Sequence, residues 1–421
     1  MNRSIRLITL GFFLALASVL SAQDPPNAGQ DLLAANEAAV RLYGKGEFQD
    51  AIRILRQALA EERGRGGELP EVMVSNLVRS YLALAGDTLR NRRPEQALRI
   101  LREASSWDDH NAEVSALRGV ILMEKGFLAA AADALGQALR WDPNCVTARQ
   151  YLGLLQYRQE ALEPALVNLT KAAELDPARR KTLGSVIAKI RRELAIEGAM
   201  RTRASTHFLC KYSGEQSTKA ADQVLDWLEE AYREMGLGLH EFPSDILTVI
   251  LYSDRDFKRV TGVHSWVAGV FDGKIRVPMR NFEARKREIR QTLRHEFTHF
   301  LVSKITTHCP AWFNEGLAQI GEGRSVEGAR TFLRRSKEAD RWMPLKLLPP
   351  SFAVISDSRT AQLAYTESFG FVAYLKDRYG IARIEELLRA LGRKDKDFYD
   401  VFYDVFRRRF EEVVLRWEDS L

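Results

Sequence analysis

The 421-residue chain is 46% hydrophobic and 28% charged, a composition that excludes disordered, collagen-like and membrane-embedded classes and leaves room for two or three globular domains. Its 62 Lys and Arg residues against 56 Asp and Glu give a net charge of +6, too small and too interspersed to argue for a nucleic-acid partner. The densest basic run, Arg285, Lys286, Arg287, Arg290 and Arg294, falls at helical spacing and reads as a solvated helix face.

The segment 1–22 differs in kind from the rest. Arg3 and Arg6 precede a run from Leu7 to Leu20 that carries no charge, and the small residues Ser21 and Ala22 follow before QDPPNAGQD. The uncharged run is shorter than the roughly 20 residues a spanning helix needs, so segment 1–22 reads as a secretory signal peptide. The expected product is exported, periplasmic or secreted, with no stable membrane span after cleavage. Export places Cys145, Cys210 and Cys309 in an oxidising compartment, but an odd count with no metal-motif spacing does not make a disulfide framework. Buried free thiols are the expected state, with a Cys210–Cys309 bridge as the alternative.

The next stretch repeats itself. EVSALRGVILMEKGFLAAAADALGQALRWDP aligns with TARQYLGLLQYRQEALEPALVNLTKAAELDP, setting Gly119 on Gly153, Ala131 on Ala165, Ala138 on Ala172 and Pro143 on Pro177, with the same interval separating every pair. Small residues at these places let two antiparallel helices approach closely, and the proline ends the second helix. Ala97 and Ala104 occupy the same two alanine positions one repeat earlier, and Ala51 and Ala58 lie a longer step back, with the loop-like ERGRGGELP in between. Over roughly residues 30–180 the chain resembles the tetratricopeptide-repeat superfamily. That resemblance implies a concave surface for a protein or peptide partner; an array that only supports its neighbour is the other reading.

A basic helical segment to about residue 200 caps the array. Beyond it, β-rich THFLCKYS and DILTVILYSD flank the helical KAADQVLDWLEEAYREMGLG, and GVFDGKIRVP reads as a hairpin turning at Asp272-Gly273. Helical sequence follows to the end. The expected fold is an α-solenoid over residues 23–200, then an α+β domain over 201–421.

LRHEFTHFLVSKITTHCPAWFNEGLAQ carries the chemistry. Helix residues i and i+4 share a face, so His295 and His299 present two imidazoles to one tetrahedral ion, while Glu296 projects beside them, placed to take a proton from a water that the ion activates. Two histidines do not hold a catalytic zinc. The extended pattern with a third histidine fails, because Val302 and Ile305 stand where glycine and histidine would be. Glu315, a short connection after His299 and just past Pro310, suits the first turn of a new helix and completes a three-ligand set that leaves the fourth position open.

HEFTH, PAWFNEGLA and YTESFGFVAYLKDRYG together resemble the peptidase MA-like gluzincins, relatives of thermolysin and the alanyl aminopeptidases in their zinc-ligand scheme, over roughly residues 204–421. The resemblance implies a zincin-like metallopeptidase holding one Zn2+ per chain on His295, His299 and Glu315, with Glu296 as general base. The interval from His299 to Glu315 is shorter than in those relatives, and no GAMEN-like exopeptidase motif is present. Gluzincins add a Tyr or His that donates to the oxyanion; Tyr365 is the candidate and His308 the second. A peptide substrate is expected to pair with the second hairpin strand, Lys274 to Val277. The other reading of the whole chain is a protein-binding scaffold whose zincin domain is structural or inert.

Overall fold

In the computed structural model, residues 28–421 are described apart from 215–216, 263–267, 340, 350, 353–354, 356 and 394–396. The segment read as a signal peptide therefore lies outside the described residues, and no described helix is long and apolar enough to cross a membrane. The chain divides into two compact units at Leu183/Gly184, where the reading above set the boundary at 200.

The first unit is a stack of helices: α1 (Ala28–Lys45), α2 (Phe48–Gly64), α3 (Glu71–Arg90), α4 (Pro94–Ser105), α5 (Ala112–Glu124), α6 (Leu128–Trp141), α7 (Val146–Arg158), α8 (Leu162–Leu175) and the start of α9 (Pro177–Glu197). They pack in consecutive pairs, α1 on α2 through α7 on α8. The repeat pattern has a steric cause. A Cβ on Gly119 would lie 2.7 Å from Leu135 Cγ, and one on Gly153 would lie 2.7 Å from Leu169 Cγ, the same contact one repeat on. Ala51, Ala97, Ala131 and Ala165 are all fully buried. The longer first interval is taken up by lengthening α2 to 17 residues and α3 to 20, with the connection between them making up the rest.

The second unit, from Gly184, is α+β. After the rest of α9 come β1 (Arg201–Ala204), β2 (Phe208–Tyr212), α10 (Ser217–Leu239), β3 (Leu247–Tyr252), α11 (Asp254–Thr261), β4 (Val270–Phe271), β5 (Ile275–Pro278), α12 (Lys286–Ile305), α13 (Ala311–Gly321), α14 (Val326–Glu338), α15 (Ser358–Tyr379), α16 (Ile381–Arg393), α17 (Phe398–Phe406) and α18 (Phe410–Asp419). The strands form one sheet in the order β1-β2-β3-β5-β4, with β2, β3 and β5 parallel and the two outer pairings antiparallel. Alternation along the strands sends Phe208, Val249, Leu251, Ile275 and Val277 into the main core with α10 and α12. Ile250 and Tyr252 face the other way, onto α11 and the end of α9.

This topology corrects one expectation. Crossing over through α11 lays β5 beside β3 along Ile275–Pro278, and β4 covers its other side at Ile275 and Arg276, so the start of β5 is paired on both sides and is not the open edge expected for a substrate strand. The two-residue β4 is the edge instead. The hairpin itself forms as read, but Phe271 pairs with Ile275, so its loop holds Asp272, Gly273 and Lys274 rather than two residues. All three cysteines are free; Cys145 and Cys210 are buried and Cys309 is half-buried.

One buried acid on α15 makes stability depend on pH. Glu367 is 0% exposed and accepts the Met343 N–H at 2.9 Å, while its other oxygen is buried without a partner. Burial, with Glu418 adding to it, pushes its pKa from 4.5 to about 8. The folded chain thus keeps a proton that the unfolded chain loses near pH 4.5, so this group's contribution to stability falls as pH rises from about 4.5 to 8. Glu367→Gln is expected to match wild type below pH 4.5 and to exceed it by about 5 kcal/mol above pH 8 in urea unfolding. Parallel stability–pH curves for the two proteins would refute this.

Candidate metal centre

Both histidines stand on α12 and the third donor on α13, which begins after Pro310 has ended the connecting segment. Glu315 sits in the second turn of α13 rather than the first. His295 Nε2 lies 3.3 Å and His299 Nε2 3.7 Å from Glu315 Oε2, and one donor atom from each residue falls within 4.8 Å of the others. Tetrahedral zinc with bonds near 2.0–2.1 Å spaces its ligand atoms about 3.3 Å apart, so the set is close to the size the ion requires. Glu315 Oε2 is buried without a hydrogen bond of good geometry. A buried carboxylate oxygen facing two imidazole nitrogens is the donor set of a borderline cation, and the residues fit zinc.

The side chains behind the ligands are arranged to aim them. Glu322, just past α13, accepts a hydrogen bond from His295 Nδ1, which leaves Nε2 turned toward Glu315. The Asn314 side chain lies beside His299, and His299 Nδ1 and Asn314 Oδ1 are both buried without a hydrogen bond of good geometry. Burial works to lower the pKa of His295, but the carboxylates of Glu315 and Glu322 beside it hold it well above its ordinary value. Burial, with His295 adding to it, lowers that of His299. Burial would raise Glu315; the two imidazoles beside it keep its carboxyl below the usual range.

Glu296 occupies a different setting. It is 6% exposed, and burial followed by the neighbouring Glu315 pushes its pKa up to about 7 against the opposing effect of His295. Its carboxylate accepts the backbone N–H of Phe271 on the edge strand β4. Gly269 permits that approach: a Cβ there would lie 2.9 Å from Glu296 Oε1 and 2.5 Å from Thr292 Cγ2. Gly269, Val270 and Phe271 line one wall of a cleft of about 730 Å³ that also contains His295, Glu296, His299, Glu315 and Tyr365.

Tyr365, on α15, is half-buried and packs edge-on against Phe352 with ring centroids 5.0 Å apart. Burial, then Glu315, Glu296 and Glu322, push its phenol well above its ordinary pKa, which keeps it a protonated donor. His308, the other candidate donor, is not among the residues lining the cleft. The basic run on α12 is taken up in part by acids of α10: Arg290 pairs with Glu230 at 2.6 Å and Arg294 with Glu234 at 2.7 Å. Sequence reading missed Glu322, Asn314 and the Phe271 N–H. For the first two a signal existed: Asn314 immediately precedes the third ligand, and Glu322 follows it by two helical turns on the same face.

The family described as the Peptidase MA superfamily matches residues 264–418, and the tetratricopeptide-repeat family matches residues 88–155. No protein of curated function matches the chain. Similar solved structures include MamA, at 20% identity over 40% of this chain and 92% of MamA with a TM-score of 0.27. Another is YrrB, described as a TPR protein with an unusual peptide-binding site, at 19% identity over 38% of this chain and 93% of that one with a TM-score of 0.24. A thermophilic TPR protein of Thermus thermophilus matches at 22% identity over 38% of this chain and 98% of its own, with a TM-score of 0.23.

Proposed function

We propose that this chain, a tetratricopeptide-repeat region followed by a Peptidase MA superfamily domain, is an exported zinc-dependent peptidase whose repeats recruit or position a protein substrate. The observation that carries the reading is the meeting of His295, His299 and Glu315 at ligand spacing, with a fourth, separately held carboxylate, Glu296, in the same cleft. A purely structural metal site has no need of that fourth group.

In this reading His295, His299 and Glu315 hold the zinc, with Glu322 and Asn314 fixing the two imidazole rings. The ion, when bound, supplies Lewis acidity, polarising a peptide carbonyl and acidifying a water. Glu296 is the general base, a carboxylate in the same cleft held apart from the three donors, which takes a proton and passes it to the leaving amine. The Phe271 N–H holds its carboxylate in place. Tyr365 donates to the oxygen on which negative charge develops. Substrate backbone runs along β4 and the Gly269 before it, a wall of the cleft formed by a strand edge. Export rests on the segment 1–22 alone.

Elemental analysis of the purified protein tests the centre. Wild type is expected to carry about one zinc per chain, and Glu315→Ala to lose it, because two imidazoles alone do not hold the ion. Wild type that binds no zinc even after reconstitution would sink the reading.

A further inference from the structure

Arg324 stands out among the bases of the second unit. It follows Gly323, whose φ of +75° turns the chain sharply after α13. The turn sends the side chain back over the helix, where it donates to the Gln319 Oε1 and its Cζ lies 5.7 Å from the centre of the Phe369 ring. It is exposed, and it lines the metal cleft. Among the described residues no carboxylate lies within ion-pairing distance of it, unlike Arg290 and Arg294 on α12. Glu322, two residues before it, is committed to His295 Nδ1.

Its support is built from buried groups. Gln319 is 1% exposed, and its Nε2 donates to the carbonyls of Glu315 at 3.2 Å and Tyr365 at 2.7 Å. One amide therefore ties Arg324 to the backbone of the third metal donor and to that of the tyrosine. An amide acceptor fixes a guanidinium without neutralising it, and the Phe369 ring stacks it without taking its donors. What results is a positioned, uncompensated fork of N–H donors at a set distance from the metal ligands, the geometry that matches a planar carboxylate.

We propose that Arg324 is a specificity-determining residue of this cleft, binding a carboxylate of the peptide: its free carboxyl terminus or an Asp or Glu side chain. The proposal rests on the peptidase reading above. It makes the enzyme selective for anionic peptides, with the cut bond at a fixed distance from the anion.

The test uses zinc-loaded full-length protein and a randomised peptide pool made in two forms, with free and with amidated carboxyl termini, the products being read by mass spectrometry. Cleavage at a constant distance from the chain end, lost on amidation, identifies the terminal carboxylate. Cleavage at a constant distance from Asp or Glu, kept on amidation, identifies the side chain. In either case Arg324→Gln should lower kcat/KM for anionic peptides by about tenfold or more, leave neutral peptides within about twofold, and recover in part in Arg324→Lys. Wild type with no anionic preference, or a variant that loses neutral and anionic substrates equally, would overturn the assignment while leaving the peptidase reading intact. Should no pool be cut, fluorescence anisotropy of labelled anionic and amidated peptides on Glu296→Gln protein separates the two. Tighter anionic binding abolished by Arg324→Gln upholds the assignment although the peptidase reading has failed, and binding without charge preference rejects it.

Discussion

Glu296→Gln is expected to lower peptide turnover by about a thousandfold while zinc content and peptide affinity stay at wild-type levels. The substitution keeps size and retains an oxygen to accept the Phe271 N–H, so the hairpin and α12 need not move. What it removes is the proton acceptor. Glu296 is buried and makes no ligand contact with the three-donor set, so zinc binding does not depend on its charge. Single-turnover kinetics on a cleaved peptide, beside metal analysis, distinguishes the outcomes. Turnover within tenfold of wild type would remove Glu296 from the chemistry. A wild-type cellular phenotype in a catalytically dead variant would move the function to the repeats as a binding scaffold.

Arg276→Ala is expected to destabilise the second unit by about 3–5 kcal/mol. Arg276 is 0% exposed, on the sheet face opposite α12, and its guanidinium meets Glu193 at 2.6 Å, Glu197 at 2.9 Å and Asp272 at 3.2 Å. Lys274 adds to Glu193 at 3.0 Å, Lys189 to Asp272 at 2.7 Å, and the Tyr252 hydroxyl to Glu197. Removing the arginine takes the closest cation from two fully buried carboxylates and leaves an empty volume beside them, with Glu193 still paired to Lys274 and Glu197 to Lys211 at 3.6 Å. Because Asp272 sits in the β4–β5 loop, the same network braces the hairpin that carries Phe271 and, through its N–H, the Glu296 carboxylate. The second-unit transition in urea is the measurement, with Arg276→Ala/Glu193→Gln/Glu197→Gln as the control that takes away both buried charges. A loss under about 1 kcal/mol in the single variant, or none regained in the triple one, would show that the network bears little of the fold's stability.

The repeats and the two histidines were legible because both depend on local periodicity. A constant repeat interval returns Gly119 and Gly153 to one packing position, and a step of one helical turn returns His295 and His299 to one helix face; neither needs knowledge of a distant contact. Glu315 was readable for a related reason, as a proline-bounded helix start placed an acid shortly after the pair. The signals weaken where the partner is remote in sequence. Which strand lies at the sheet edge follows from the α11 crossover, so the hairpin was visible but the substrate edge was assigned to β5 when the free edge belongs to β4. The Phe271 N–H is a backbone group, and a sequence gives it no signature. The burial of Arg276 has no local signature, because it depends on α9, which covers that face of the strand and supplies the two glutamates that make its burial tolerable. Local spacing therefore determined which side chains share a face, because helix and repeat geometry are properties of the backbone. Which groups orient, brace and flank those side chains was decided only when the sheet order and the packing of α9, α13 and α15 brought distant segments together.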